Sequence, residues 1–155
     1  MTIVSAVDAY LYAYDKGVGN FPAQYKITEN FSWREAFTNE MNTDGCPILE
    51  VFENIAKTAR VLQEARKKIG KPFVIHCWLR QIPHNKRAKS TAKRSMHLNG
   101  CAVDFHIEGM SCAQGREALL KLDLPLRIEA GTPTWIHVDT GNTYTKNFKY
   151  GLFQP

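Results

Sequence analysis

The chain contains no run of about 18 apolar residues, so no segment reads as a membrane-spanning helix. Its four cysteines (Cys46, Cys77, Cys101, Cys112) form no Cys-x-x-Cys pair, which argues against a cysteine-rich zinc site. Cys77 and Cys101 both fall in predicted strands, which leaves a bridge between them open. The opening "MTIVSAVDAYLYAYDKG" lacks a positive leader and carries Asp8 among its apolar residues. It reads as an amphipathic helix rather than a signal peptide, so the expectation is synthesis in the cytoplasm with free thiols. No internal repeat and no linker composition interrupt the sequence, and residues 1–155 are therefore expected to form one domain.

What is present is ordinary for a folded protein: 44% hydrophobic and 23% charged residues, which excludes a disordered chain. The net charge of +5 points toward polyanionic partners, and its distribution is uneven. Lys86, Arg87, Lys89, Lys93 and Arg94 crowd into "NKRAKSTAKR" with no acid among them. Such a run is most often a solvated loop. The functional reading is electrostatic contact with nucleic acid or anionic cell-envelope polymers. The loop has no aromatic residue on which bases would stack, which weakens the nucleic-acid reading.

Along the chain, residues 3–16 predict a first helix that ends in the glycines of "KGVGN". "ITENFSWREAF" follows, with Thr28 and Asn30 as candidate caps. The strongest helical signal is "PILEVFENIAKTARVLQEARKKIG", where Leu49, Phe52, Ile55, Ala59, Leu62 and Ile69 recur at helical spacing and Pro47 suits the first turn. "KPFVIHCWL" and "CAVDFHI" predict strands separated by a long polar loop, residues 81–94. "SCAQGREALLKL" predicts a helix capped by Ser111. "LRIEA" and "TWIHVDT" predict two strands of a hairpin-like unit, and the tail from residue 141 reads as irregular. The fold class is α+β.

The chemistry concentrates in two stretches, "SMHLNGCAVDFHI" and "RIEAGTPTWIHVDT". His97 and Asp104 flank Gly100, a residue that lets the backbone turn sharply enough to bring both side chains to one side. Imidazole with carboxylate suits zinc. Strand alternation puts Trp135, His137 and Asp139 on one face, so His137 is a third candidate ligand, and Glu129 is within reach across the hairpin. His106 shares a strand face with Asp104, so His106 and Asp139 compete as ligands at this point. His76 and His84 have no carboxylate context and read as structural or surface residues. Three protein ligands with an open fourth position are the arrangement of a catalytic zinc, and a nearby free carboxylate is what a metal-bound water needs as proton acceptor.

"SMHLNGCAVDF" resembles the Ser-x-His-x-x-Gly-x-Ala-x-Asp motif of the zinc D-alanyl-D-alanine carboxypeptidase family. That family includes phage L-alanyl-D-glutamate endolysins and shares its fold with the Hedgehog signalling domain. "TWIHVD" resembles the segment carrying the family's third ligand, and "FSWREAF", "LQEARKKIGKPF" and "LRQIPHN" follow the order of elements in the phage-type branch. The resemblance covers residues 28–140. It implies a central, mostly antiparallel sheet flanked by helices, and one Zn2+ per chain held by His97, Asp104 and His137. It also implies Glu129 as general base, with a departure: many members place this residue in Glu-x-x-His, whereas position 134 is Thr in this chain. Arg80 matches an arginine that binds substrate or steadies the oxyanion. Ser95 and Trp135 are expected to shape the surroundings of the ligands. The implied activity is zinc-dependent hydrolysis of an amide in the peptide stem or cross-link of peptidoglycan, of endolysin type, by a monomer acting on the wall after release. The alternatives are a non-catalytic zinc-containing binding module on the same fold and a basic nucleic-acid-binding protein.

Overall fold

The computed structural model describes residues 1–40, 45–81, 95–141 and 150–154. The basic stretch Lys86, Arg87, Lys89, Lys93 and Arg94, with His84, lies outside them. At the N-terminus, Ser5 stops the first helix from extending back to residue 3. Its hydroxyl accepts the Asp8 N–H at 3.1 Å, so α1 runs Ala6–Lys16. Thr2–Ile3 (β1) instead pairs in parallel with Tyr25–Lys26 (β2).

The short helix α2 (Trp33–Ala36) is capped by Ser32 and Glu35 in a reciprocal capping box, not by Thr28 or Asn30. Those two side chains bond Gln63 on the long helix α3 (Leu49–Ile69), at 2.9 and 2.8 Å. Pro47 falls just before the Ile48 cap of α3 rather than in its first turn. Phe52, Ile55, Ala59 and Leu62 are fully buried along one stripe of α3, as their spacing predicts. Gly70, left-handed at φ 73°, ends it.

The main sheet has the order β3 (Phe73–Cys77), β4 (Ala102–Ile107), β6 (Ile136–Asp139), β5 (Arg127–Glu129), β7 (Gly151–Phe153). The first three pairings are antiparallel, and β7 joins β5 in parallel. The mostly antiparallel sheet of an α+β fold is therefore present, and the tail that reads as irregular contributes its last strand. Alternation divides the sheet into two faces. Val103, Phe105, Ile107, Ile128, Ile136 and Val138 are buried in the apolar cluster that also contains the α3 stripe. Helix α4 (Cys112–Leu120), capped by Ser111, lies close on this side: a Cβ at Gly115 would meet Ile136 Cδ1 at 2.5 Å. The opposite face carries Asp104, His106, His137 and Asp139.

Gly100 closes the 3-10 turn Met96–Asn99 with φ 74°. A Cβ there would meet Ile55 Cγ1 at 2.7 Å and the Val51 carbonyl at 3.0 Å. Conformation and space both demand glycine. Gly100→Ala is expected to destabilise the protein by about 1–3 kcal/mol in urea unfolding. Gly131→Ala, where nothing lies within 4 Å and φ is not positive, should change it by less than about 1 kcal/mol.

Candidate metal centre

Four strands place the site's side chains in one row. Cys77 pairs with Asp104 across β3–β4, and Asp104 pairs with His137 across β4–β6. Directly opposed residues of an antiparallel pair share a face, so these side chains converge. The β5–β6 register pairs Arg127 with Asp139 and Ile128 with Val138, which carries Glu129 abreast of His137. Glu129 is then followed in the row by Phe153 of β7. A bulge in β3 makes this arrangement: pairing moves from Ile75–Phe105 to Cys77–Asp104, leaving His76 as the extra residue.

His97 reaches the row from the 3-10 turn. It is 1% exposed. Its Nδ1 lies 2.6 Å from the Trp78 carbonyl oxygen, which only accepts, so Nδ1 carries the proton and Nε2 is left with its lone pair. That Nε2 is buried with no hydrogen-bond partner among the described residues, and Asp104 Oδ1 is 3.3 Å away. The same oxygen accepts a 2.7 Å hydrogen bond from His137 Nδ1. The two imidazole rings stand edge to face, 5.1 Å apart.

This geometry fits a metal ion. Bonds of 2.0–2.1 Å in tetrahedral geometry separate neighbouring donor atoms by about 3.3 Å, close to the spacing of His97 Nε2 and Asp104 Oδ1. A buried imidazole nitrogen without a partner calls for an explanation, and a metal ion supplies one. Among the described residues, the donor atoms of Cys77, His97 and Asp104 all lie within 4.8 Å of one another. Cys77 thus joins the surroundings, a residue that the sequence presents merely as a strand thiol. Only the β3 register reveals it.

Burial acts to raise the Asp104 carboxyl, but the hydrogen bond from His137 Nδ1 and the nearness of the His97 ring outweigh it. The carboxyl is held well below the usual carboxylate range. For the Cys77 thiol burial prevails: it is pushed up to about 12, with the Asp104 charge adding and the Arg80 charge opposing. Arg80 is therefore felt at the site. Its backbone N–H donates to the His97 carbonyl at 3.2 Å, and its Nε is buried with no hydrogen-bond partner among the described residues. Ser95 is buried at the head of the turn that presents His97, while Trp135, just before β6, is partly exposed.

The other two candidates, His106 and Asp139, have partners of their own. His106 bonds His76, Nδ1 to Nε2 at 2.7 Å, on the outer side of the bulge. Asp139 is taken up by Arg127 in a two-point ion pair at 3.0 and 2.8 Å. Cys101 and Cys77 are both free thiols. The Cys101 carbonyl accepts the Thr140 N–H at 3.1 Å, and its thiol lies 3.9 Å from the Asn99 carbonyl, away from the row of donors.

Residues 28–139 match the peptidase M15 family. The chain belongs to that family. It is also similar to the peptidoglycan L,D-endopeptidase MepK of Escherichia coli (strain K12), 33% identical over 75 residues that cover 46% of this chain and 41% of the relative. The MepK of Shigella flexneri matches with the same identity and coverage. The matched stretch thus spans less than half the length of these curated relatives.

The buried thiols give a direct check. In the native, metal-free protein at pH 8, iodoacetamide should label half-buried Cys112 well ahead of Cys77 and Cys101, whose thiols burial holds at about 12 and about 11. Peptide mapping by mass spectrometry reads the order, and unfolding in urea should erase it.

Proposed function

We propose that this protein is a zinc-dependent peptidase that hydrolyses an amide bond in the peptide part of peptidoglycan. One observation supports it most: the unpartnered, buried Nε2 of His97 faces Asp104 Oδ1, which also holds His137 Nδ1, in a chain of the M15 family. His97, Asp104 and His137 are the ligands in this reading, with one zinc per chain. When bound, zinc supplies Lewis acidity that lowers the pKa of a water and polarises the scissile carbonyl.

The chain's own groups do the rest. The Trp78 carbonyl fixes the His97 tautomer, so Nε2 is always the nitrogen offered. Glu129, abreast of His137 at the end of β5, takes a proton from the attacking water and returns it to the leaving amine. Arg80 donates from its guanidinium to the developing oxyanion, which gives its buried Nε a role. The half-exposed Trp135 forms part of the rim over which the peptide passes. The likeness to L,D-endopeptidases supports a cut within the peptide rather than removal of a terminal residue. Endolysin-type release onto the wall, and attraction of the Lys86–Arg94 stretch to anionic envelope polymers, complete the reading.

Mass spectrometry of products from purified peptidoglycan tests it. The zinc-loaded protein should release peptides with new internal termini, and free D-alanine alone would indicate a carboxypeptidase instead. Treatment with a chelator should abolish release and added zinc restore it. Glu129→Gln should keep a full equivalent of zinc but lose about 10²–10⁴-fold in kcat. His97→Ala should lose the metal itself, and full zinc retention in that variant would overturn the ligand assignment.

A further inference from the structure

The side of His137 that faces away from Asp104 holds a second carboxylate. Asp139 is fully buried, and among the described residues its two oxygens receive three donors: Arg127 Nε at 3.0 Å and the Gly141 N–H at 3.0 Å on Oδ1, and Arg127 Nη2 at 2.8 Å on Oδ2. Oδ2 also lies 3.9 Å from His137 Nε2. A carboxylate buried this deeply is costly unless its partners are fixed, and here they are fixed by the cross-strand pairing of Arg127 with Asp139. The guanidinium is held in turn beneath Phe153, whose ring centre is 4.4 Å from the Arg127 Cζ, and the same ring meets His137 edge to face at 6.2 Å. Arg127, Asp139 and Phe153 thus form a rigid bracket around one side of the His137 imidazole.

We infer that Asp139, clamped by Arg127, is the positioning residue that makes Nδ1 the metal-binding nitrogen of His137. The inference rests on the reading of His137 as a ligand. A neutral imidazole has a single N–H. Where Nδ1 carries that proton, the Asp104 carboxylate accepts it at 2.7 Å. For Nδ1 to donate its lone pair instead, the N–H must reside on Nε2, and the carboxylate oxygen on that side belongs to Asp139. Ligating histidines almost always donate their other N–H to such a partner, which orients the ring and raises its basicity. Asp139 is unsuited to direct ligation because Arg127 and Gly141 already occupy its oxygens, so its place beside the ligands has this second use. The role ties the C-terminal strand to the site, since Phe153 stacks on the Arg127 guanidinium.

The test measures zinc affinity by competition with a chromophoric chelator at fixed pH, alongside the thermal stability of the metal-free form. Asp139→Asn should weaken zinc binding about 10–100-fold. Arg127→Gln, which keeps the carboxylate but frees it to turn, should weaken it less. A purely structural role would lower the melting temperature of both variants and leave zinc affinity within twofold of the wild type, and that result overturns the inference. Nitrogen-15 histidine NMR on the zinc-loaded wild type needs no variant and therefore decides the matter if Asp139→Asn fails to fold. Long-range couplings should show His137 protonated at Nε2 and zinc-bound at Nδ1, and the reverse pattern overturns the proposal. A wild-type protein that binds no zinc overturns the functional reading itself, whereas zinc bound with unchanged affinity in Asp139→Asn overturns the Asp139 role alone.

Discussion

The register of β4 between β3 and β6 is the constraint on which the site depends. Asp104 faces Cys77 on one neighbour and His137 on the other, and it is the residue that both histidines address. Because side chains alternate, a slip of one residue in either pairing would turn Asp104 or His137 into the apolar side and bring Val103 or Val138 out. That slip is opposed by the burial of Val103, Phe105, Ile136 and Val138 against the helices. Hydrophobic burial, and not any attraction among the polar groups, therefore sets the spacing of the donor atoms. Those groups are held close together even though the hydrogen bonds among them are incomplete, His97 Nε2 having no partner among the described residues.

Much of this was legible in the residues. The long helix announced itself by period, and the strands by β-branched and aromatic runs flanked by turn chemistry. His97, Asp104 and His137 stood out because motif, glycine and strand alternation all agreed, and the structure brings the three side chains together. Gly100 is required for the reason inferred from its place between two of them: the backbone turns there with positive φ and no room for a side chain.

The rest depended on contacts across the chain. Thr28 and Asn30 looked like caps, yet Ser32 had the better geometry and the other two found Gln63, which lies more than 30 residues away. His106 and Asp139 could not be separated from the other candidate ligands by alternation, which fixes a face but not a neighbour. Their actual partners, His76 and Arg127, became visible once the strand order was known. Cys77 enters through a bulge, a feature that shifts pairing without leaving a mark in composition. The tail gave no strand signal since β7 is three residues long and begins with glycine.

The parallel pairing of β7 with β5 has a consequence for how the protein can be cut. Residue 139 ends the stretch shared with the family, and it is a natural place to trim a recombinant fragment. Trimming there would strip β5 of its outer neighbour and leave a row of unpaired N–H and C=O groups along an exposed sheet edge. Such an edge invites the same strand of another copy to dock, and the shortened protein would exchange the short β7 edge for a bare β5 edge and a tendency to self-associate.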